Sequence, residues 1–266
     1  MRETWALIVA SWRTALSYRL SMVFSLVGIV VGIVPVYYGA RALQSTMAQK
    51  IELQGGHYFA FLLVGMIATS FIMAAVNAIP AVVTGGIATG TLEALLSTRT
   101  PLPSLVAGLI GYNFVWTTLR AVVMLGAGLA LGVHLVWGAW LWSLLIMTLI
   151  VLAYLPFGLF AASLQLAFRT AGPLPSVVLL ASSLLGGVYY PTHVMPSWLP
   201  NLSAIIPLTY GLRALRMTLL EGIPFRDVIP DVATLIGFVL LLTALSLFAL
   251  TEALHYARRS GTLAQY

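Results

Sequence analysis

The side chains that could carry chemistry in this chain are few and widely spaced. Its acidic residues and four histidines are scattered, and no two histidines have a zinc-binding spacing such as H-E-x-x-H. Lys50 is the only lysine, so the chain has no phosphate-binding G-x-x-x-x-G-K-[ST] loop. No G-x-S-x-G turn presents a nucleophilic serine. The sequence therefore argues against a metalloenzyme, a P-loop ATPase and a serine hydrolase.

One cation lies where lipid is expected. Arg120 falls near the middle of an apolar run, and a central arginine costs at least about 2.5 kcal/mol to insert. Its guanidinium could bond helix-end carbonyls or extend to the interface, or it could contact an anionic substrate or lipid. Asn77, in the preceding apolar run, could line the same polar region or only bond a neighbouring helix. The sequence leaves both pairs of alternatives open.

The composition places these side chains in a bilayer. Hydrophobic residues make up 61% of the 266-residue chain, charged residues only 8%, and the mean hydropathy is +1.01. Soluble domains carry about 25% charged residues. The net charge of +6 is spread over the chain, and no basic cluster has the interleaved aromatics of a nucleic-acid surface. We therefore expect an all-α membrane protein, embedded in the lipid bilayer, without a nucleic-acid partner.

Six apolar runs are long enough to cross a membrane, which takes about 20 residues. They lie at 20–38, 58–84, 104–133, 139–168, 173–191 and 228–254. An even number of spans puts both termini on one side, and a slight excess of arginine there favours the cytoplasm. We therefore expect a multi-pass protein of the inner (plasma) membrane, with a single domain over 1–266 and a cytoplasmic tail at 255–266.

The residues at 1–19 form an amphipathic pattern rather than a span. Trp5 and Trp12 lie on one apolar stripe, and the arginines lie away from it. This pattern is typical of a helix lying flat in the interface. A signal peptide is the alternative, since Ala40-Arg41-Ala42 looks like a cleavage site, but an amphipathic start of this length is atypical of one.

A short polar island at 89–99 interrupts the apolar runs. Thr89 can cap a helix, and Glu93 then lies in its first turn, where the helix dipole favours a negative charge. Three leucines fall on one side of that helix, and Pro101 stops it. The island predicts a small amphipathic helix at the membrane surface, and an ordinary interhelical loop is the alternative.

The segment 192–227 is too long for a turn and too apolar for a free loop. Between its prolines and Gly222, it reads as a helix over 208–220. We expect re-entrant outer helices before the last span, because irregular backbone survives at membrane depth only when protein buries it. An amphipathic surface helix is the alternative. The interfacial and charged side chains of the segment are Trp198, Tyr210, Arg213 and Arg216.

Three parts of the chain resemble the ABC-2 type permeases. Residues 89–98 read Thr-Gly-Thr-Leu-Glu-Ala-Leu-Leu-Ser-Thr and are similar to that family's cytoplasmic Leu-Glu-x-Leu-Leu segment. Residues 190–199 and 206–216 look like its signature before the last span, and 258–263 is similar to its cytoplasmic tail. With the amphipathic start and the six spans included, the resemblance covers almost the whole chain.

This resemblance implies the permease of an ATP-driven exporter. Two permeases, here expected to be a homodimer, would work with two copies of a separate ATP-binding subunit that binds ATP and magnesium. Residues 1–18 resemble the family's connecting helix, and the island resembles the coupling helix that docks on the ATPase. The residues expected to couple the subunits are Thr91, Leu92, Glu93, Leu95, Leu96, Arg99, Trp5 and Trp12.

The resemblance also implies a pathway at the dimer axis. Spans two and five would line it, and the re-entrant helices would cap it on the outer side. Spans one and five would face the second permease, with Gly186 and Gly187 allowing close approach; packing within one subunit is the alternative. We expect an outer gate at Trp198, Tyr210, Arg213 and Arg216. The expected pathway residues are Phe71, Asn77, Arg120, Ser182 and Ser183.

The mostly apolar spans favour an amphipathic substrate, which could be a lipid, a lipid-linked glycan or a hydrophobic drug. An ion or solute channel is one alternative, but it would need charges or carbonyls at a constriction. A membrane-embedded enzyme is another, but it would need paired titratable groups at one depth. Neither pattern is present, so we expect a transport subunit without catalytic or metal-binding residues.

Overall fold

The computed structural model describes residues 19–54, 56–88, 102–168, 172–196 and 198–259. Every regular element in these ranges is helical, in agreement with the expected all-α class. The α-helices in chain order are α1 (Arg19–Met47), α2 (Tyr58–Ala88), α3 (Leu102–Ala130), α4 (Trp140–Phe168), α5 (Leu174–Leu185), α6 (Leu199–Ser203), α7 (Pro207–Leu219) and α8 (Phe225–Arg259). Short 3₁₀ helices lie at Ala48–Gln54, Trp137–Ala139 and Thr192–Val194.

Five stretches of the described chain are helical, long and apolar enough to cross a bilayer. They are Leu20–Glu52, Tyr58–Val82, Gly111–Ala130, Trp137–Gln165 and Phe225–Ala253. Each has at least about the 20 residues that a crossing needs. The low charge content of the chain therefore has its expected structural counterpart in a bundle of membrane-spanning helices.

Two of the expected spans have other bounds in the structure. The helix expected at 20–38 continues to Met47, because residues 40–47 remain good helix formers and Ala40 is buried in the core beside α2. The run at 173–191 is helical only over α5, about 18 Å against a hydrocarbon core of about 30 Å. Gly186 and Gly187 end α5, since Gly187 has a φ of +79°, which residues other than glycine rarely adopt.

An interfacial helix was expected at 1–19. Residues 1–18 lie outside the described part of the chain, so only residue 19 of that range is described. The coupling helix near 89–99 and the end of the tail at 260–266 also lie outside the described part. These three expectations remain predictions.

Helix α2 lies at the centre of the bundle and packs on α1, α3, α4, α5 and α7. One core cluster joins it to α4, α7 and α8 and includes Ile72 and Tyr154. A second cluster joins its first half to α1 and α3 and includes Phe61 and Ile33. In the most apolar part of α2 67% of the residues are buried, against 6% in α1, so α1 is a peripheral helix.

A glycine marks the closest approach of α2 and α4. A Cβ added at Gly158 would lie 2.9 Å from the carbonyl oxygens of both Ala75 and Val76. Backbone atoms of a central helix cannot rotate away as a side chain can. The crossing therefore depends on the absence of a side chain at this position.

Replacing Gly158 by alanine should force α4 away from α2 and lower the free energy of unfolding by about 1–3 kcal/mol, as overpacking in a core does. Thermal unfolding of the purified protein in detergent measures this. Gly126→Ala in α3 is the matched control, because a Cβ there meets no atom within 4 Å and alanine favours the helix. Equal melting temperatures for the two variants would show that the crossing is not tight.

Candidate functional site around helix α7

The segment between α5 and α8 folds back on the bundle through local hydrogen bonds. Ser203 Oγ donates to the carbonyl oxygen of Leu185 at 2.7 Å, and Thr209 Oγ1 donates to that of Ser203 at 2.8 Å. The hydroxyl of Tyr210 donates to the carbonyl oxygen of Ala204 at 3.1 Å. These bonds fix the start of α7 against the end of α5.

Helix α7 packs an apolar stripe into the core. Leu208, Leu212 and Leu215 are each at most 2% exposed, and their spacing puts them on one helix face. The observed bounds of α7 agree with the helix expected at 208–220. The face contacts α4 and α8, so α7 is held inside the bundle along its length.

The same helix carries an arginine into the core. Arg216 is 2% exposed, and its guanidinium donates to the carbonyl oxygens of Gly187 at 2.8 Å, Phe61 at 3.0 Å and Val188 at 3.1 Å. A longer bond of 3.4 Å reaches Oε1 of Gln54. All four acceptors are uncharged, so dipoles rather than a carboxylate stabilise this buried charge.

An aromatic ring and a glycine form the pocket for this guanidinium. Its central carbon lies 3.4 Å from the ring centroid of Phe61, within the range of a cation–π contact. Gly65, one turn further along α2, leaves the space, since an added Cβ would lie 2.9 Å from Nη2 of Arg216. Burial lowers the pKa of Arg216 to about 9, which still leaves the group protonated at neutral pH.

The first turn of α2 also holds the chain that follows α5. The hydroxyl of Tyr58 donates to the carbonyl oxygen of Tyr189 at 2.8 Å. The ring of Tyr58 stacks on that of Phe61, with centroids 6.1 Å apart. The segment after α5 is therefore attached to α2 both by a tyrosine and by Arg216.

A second arginine attaches α7 to α8. Nε of Arg213 donates to Oδ2 of Asp231 at 2.8 Å, and Nη2 donates to the other carboxylate oxygen. This hydrogen bonding to Asp231 raises the pKa of Arg213. The side chain of Arg213 is 51% exposed and that of Asp231 is 9% exposed, so the pair lies at the edge of the bundle.

The four side chains expected at an outer gate lie in three different settings. Trp198 is 64% exposed. Tyr210 and Arg213 lie together, with the guanidinium 5.7 Å from the ring centroid. Arg216, only three residues further along, is buried against α2. The structure thus brings two of the four together and gives the two arginines different partners.

Three of the expected pathway residues have partners or positions within this single chain. Ser182 is buried and accepts a hydrogen bond of 2.7 Å from the hydroxyl of Tyr154. Ser183, next to it, is half-buried. Nδ2 of Asn77 donates to the carbonyl oxygen of Met73 in its own helix at 2.9 Å. One chain therefore does not gather these three at a common cavity.

The other two expected pathway residues are also apart. Phe71 lines an apolar cavity of about 340 Å³ between α2, α3, α4 and α7, beside the exposed Trp137 and Trp140. Arg120 does not line it. The guanidinium carbon of Arg120 lies 5.1 Å from the ring centroid of Trp116, and its buried Nε has no hydrogen-bond partner among the described residues.

The partners of both arginines were not predicted from the sequence. Three of the four acceptors of Arg216 are backbone carbonyls, which leave no trace in the residue types. Asp231 carries a detectable signal, because it is an acidic residue in the first turns of the helix that follows Arg213. Within the described ranges, no group of acidic and histidine side chains could hold a metal ion.

The residues expected to contact an ATPase lie outside the described part of the chain. They are Thr91, Leu92, Glu93, Leu95, Leu96, Arg99, Trp5 and Trp12.

Two comparisons with known proteins bear on this arrangement. Residues 3–220 match the family model of the ABC-2 type transporter. The chain is also similar to nodulation protein J of Rhizobium leguminosarum bv. viciae, with 25% identity over 239 residues, covering 87% of this chain and 88% of the relative. The family match includes the island at 89–99 and all of α7, so both regions that the sequence analysis singled out lie within it.

Replacing Arg216 by methionine should leave several buried carbonyls without a donor and lower the free energy of unfolding by roughly 2–5 kcal/mol. Arg216→Lys should recover only part of this loss, because an ammonium cannot reproduce the planar fork of donors. Melting in detergent gives the readout, with the exposed Arg226→Met as control. If both methionine variants melt together, Arg216 does not hold α7 in place.

Proposed function

Because the chain belongs to the ABC-2 type transporter family, as a permease and not as an enzyme, we propose that it forms the membrane pathway of an ATP-driven exporter. The observation that carries this proposal is the family match over 3–220, which extends from the start of the chain to the end of α7. The absence of a P-loop lysine motif agrees with hydrolysis by another subunit.

The proposed assembly contains two copies of this permease and two ATP-binding subunits. ATP and magnesium belong to the ATP-binding subunits. The island at 89–99 is the proposed contact with them, and Leu92, Leu95 and Leu96 supply its apolar side. Glu93 and Arg99 pair with charges on the ATPase, while the helix containing Trp5 and Trp12 lies along the membrane beside it.

We propose that the protein lies in the inner (plasma) membrane. In the proposed topology both termini and the island face the cytoplasm. The segment at 173–191 supplies a sixth crossing, and α6 and α7 form the outer re-entrant helices. Trp198, Tyr210, Arg213 and Arg216 then lie at the outer side.

The contacts of α7 suggest how a movement at the island reaches the other side. The island follows α2 directly, and α2 accepts a hydrogen bond from Arg216. Closure of the ATPase dimer would shift the island, tilt α2 and carry α7 with it as one rigid body. The half-exposed Arg213 pair is the weaker of the two polar attachments of α7, whose apolar face also packs on α4 and α8.

The proposed substrate is amphipathic: a lipid, a lipid-linked glycan or a hydrophobic drug. The apolar cavity beside Phe71 and the apolar helix surfaces support a molecule with a large nonpolar part. The pathway itself is assigned to the axis between two permeases, with Asn77, Arg120, Ser182 and Ser183 at or near it.

In membranes, the permease should stimulate or couple the ATPase activity of its partner. The permease purified alone should hydrolyse no ATP. Leu95→Asp and Glu93→Arg should lower the amount of co-purified ATPase about tenfold or more, because they place an unpaired charge in a packed contact. Pull-down from native membranes and phosphate release give the two readouts.

Leu95→Met and Glu221→Arg serve as controls, since the first keeps an apolar side chain and the second inverts an exposed charge elsewhere. Nucleotide hydrolysis by the isolated permease would refute the proposed division of labour. Normal assembly of both island variants with the ATPase would refute only the proposal that the ATPase docks at the island.

The proposed dimer can be tested by crosslinking, because the natural chain has no cysteine. A single cysteine at Ser183 should crosslink two permeases in native membranes if α5 faces the dimer axis. Cysteines at the exposed Val122 of α3 and Leu145 of α4 are the controls and should stay monomeric. Efficient crosslinks at the control positions alone would show that the proposed interface and the proposed pathway are both wrong.

A further inference from the structure

A partly polar cavity of about 290 Å³ lies at the end of the bundle where α1 ends and α2 begins. Its charged and imidazole side chains come from three segments: α1, the turn before α2, and the connection from α3 to α4. Each contributes one basic or imidazole side chain, namely Arg41, His57 and His134. None of the residues discussed above for coupling, pathway or gate lines it.

Helix α1 presents one polar face to the cavity. Tyr37, Arg41 and Gln44 all line it, and their spacing of four and three residues puts them on one side of the helix. The ring of Tyr37 packs edge-on against Phe59 of α2, with centroids 5.1 Å apart. The face is therefore fixed against α2 on the side that carries Arg41.

The turn that carries His57 is clamped to α1. Nε2 of Gln44 donates to the carbonyl oxygen of Gly56 at 2.8 Å, and its Oε1 accepts from the backbone N–H of Tyr58 at 2.8 Å. These two bonds hold the residues on either side of His57. His57 is thereby held in the wall of the cavity that Arg41 also lines.

The third segment is fixed equally well. The backbone N–H of Val133 bonds the carbonyl oxygen of Gly128 at 3.0 Å, and that of Val136 bonds Leu219 in α7 at 2.9 Å. Gly132 has a φ of +91°, which lets the chain turn sharply at the end of α3. His134 lies between these two anchors and lines the cavity.

The polar side chains of this cavity are suited to an anion. A guanidinium offers five N–H donors, each imidazole offers at least one, and the Tyr37 hydroxyl offers another. No acidic residue lines the cavity; Glu52 and Glu221 lie in adjoining segments of the described chain but not on its wall. Among the described residues, Arg41 has neither an ion pair nor a side-chain hydrogen bond.

We propose that this cavity binds a phosphate-type anion, carried by a lipid headgroup or free in solution, through Arg41, His57 and His134. The three side chains are exposed at the ends of membrane helices, where headgroups lie, and a phosphate accepts several charge-assisted hydrogen bonds at once. The site depends neither on the proposed export nor on the direction in which the chain is inserted.

Binding can be measured on the full chain purified in detergent. Phosphatidylglycerol, diacylglycerol with identical acyl chains and no phosphate, and inorganic phosphate are the three probes, and the rise in melting temperature with probe concentration gives an apparent affinity. The test variant is Arg41→Gln with His134→Gln. The control is Arg226→Gln with His193→Gln, which removes the same groups from exposed positions outside the cavity.

Phosphatidylglycerol should stabilise the wild type and the control, and the test variant should bind it about tenfold or more weakly, as loss of charge-assisted hydrogen bonds implies. Diacylglycerol should have a smaller effect that is equal in all three proteins. If inorganic phosphate acts in the same way as phosphatidylglycerol, the site recognises the free anion; if only the lipid acts, it recognises the headgroup.

Equal binding of phosphatidylglycerol by wild type, control and test variant would overturn the proposal, as would equal stabilisation of the wild type by the two lipids without any effect of phosphate. The single variant Arg41→Gln repeats the measurement with one exposed side chain changed, so the result does not depend on the folding of the double variant.

Discussion

Much of this bundle depends on the way in which one buried guanidinium is solvated. Arg216 enters the core without a carboxylate, so the carbonyl oxygens of Phe61, Gly187 and Val188 have to stabilise its charge. Because Arg216 is only 2% exposed, water cannot replace a lost acceptor. The first turns of α2, the chain after α5, and α7 must therefore keep one relative arrangement. The face of a phenyl ring and the missing side chain of Gly65 complete the same pocket.

The two arginines of α7 show how little sequence spacing says about energetic role. Arg213 has a formal ion pair, yet its side chain is 51% exposed, so water screens the pair from one side. Arg216 has no opposite charge, but its three hydrogen bonds to backbone carbonyls are buried and would be costly to break. The polar contact of α7 with α2 is thus better shielded from water than its ion pair with α8, while its apolar face packs on α4 and α8.

Hydropathy was sufficient to predict the helical class, most of the long helices and α7, because transfer of apolar side chains depends on composition alone. It overestimated the run at 173–191, where Gly186 and Gly187 end α5 although the residues stay apolar. The candidate site was harder to predict from the sequence. A carbonyl acceptor can belong to any residue type, and Gly65 is one glycine among 23. Ser182 looked available for a pathway, but its partner Tyr154 lies in another apolar run.

The unequal burial of α1 and α2 also has a consequence for biosynthesis. Their most apolar stretches have nearly the same mean hydropathy, 2.3 and 2.4, so both can partition into lipid as they leave the ribosome. Helix α1 then has little left to bury within this chain, because only 6% of its most apolar part is packed against the other helices. Helix α2 differs, since the donor for its Phe61 carbonyl is translated 155 residues later. Insertion can therefore proceed span by span, whereas folding around α2 has to wait until α7 has been synthesised.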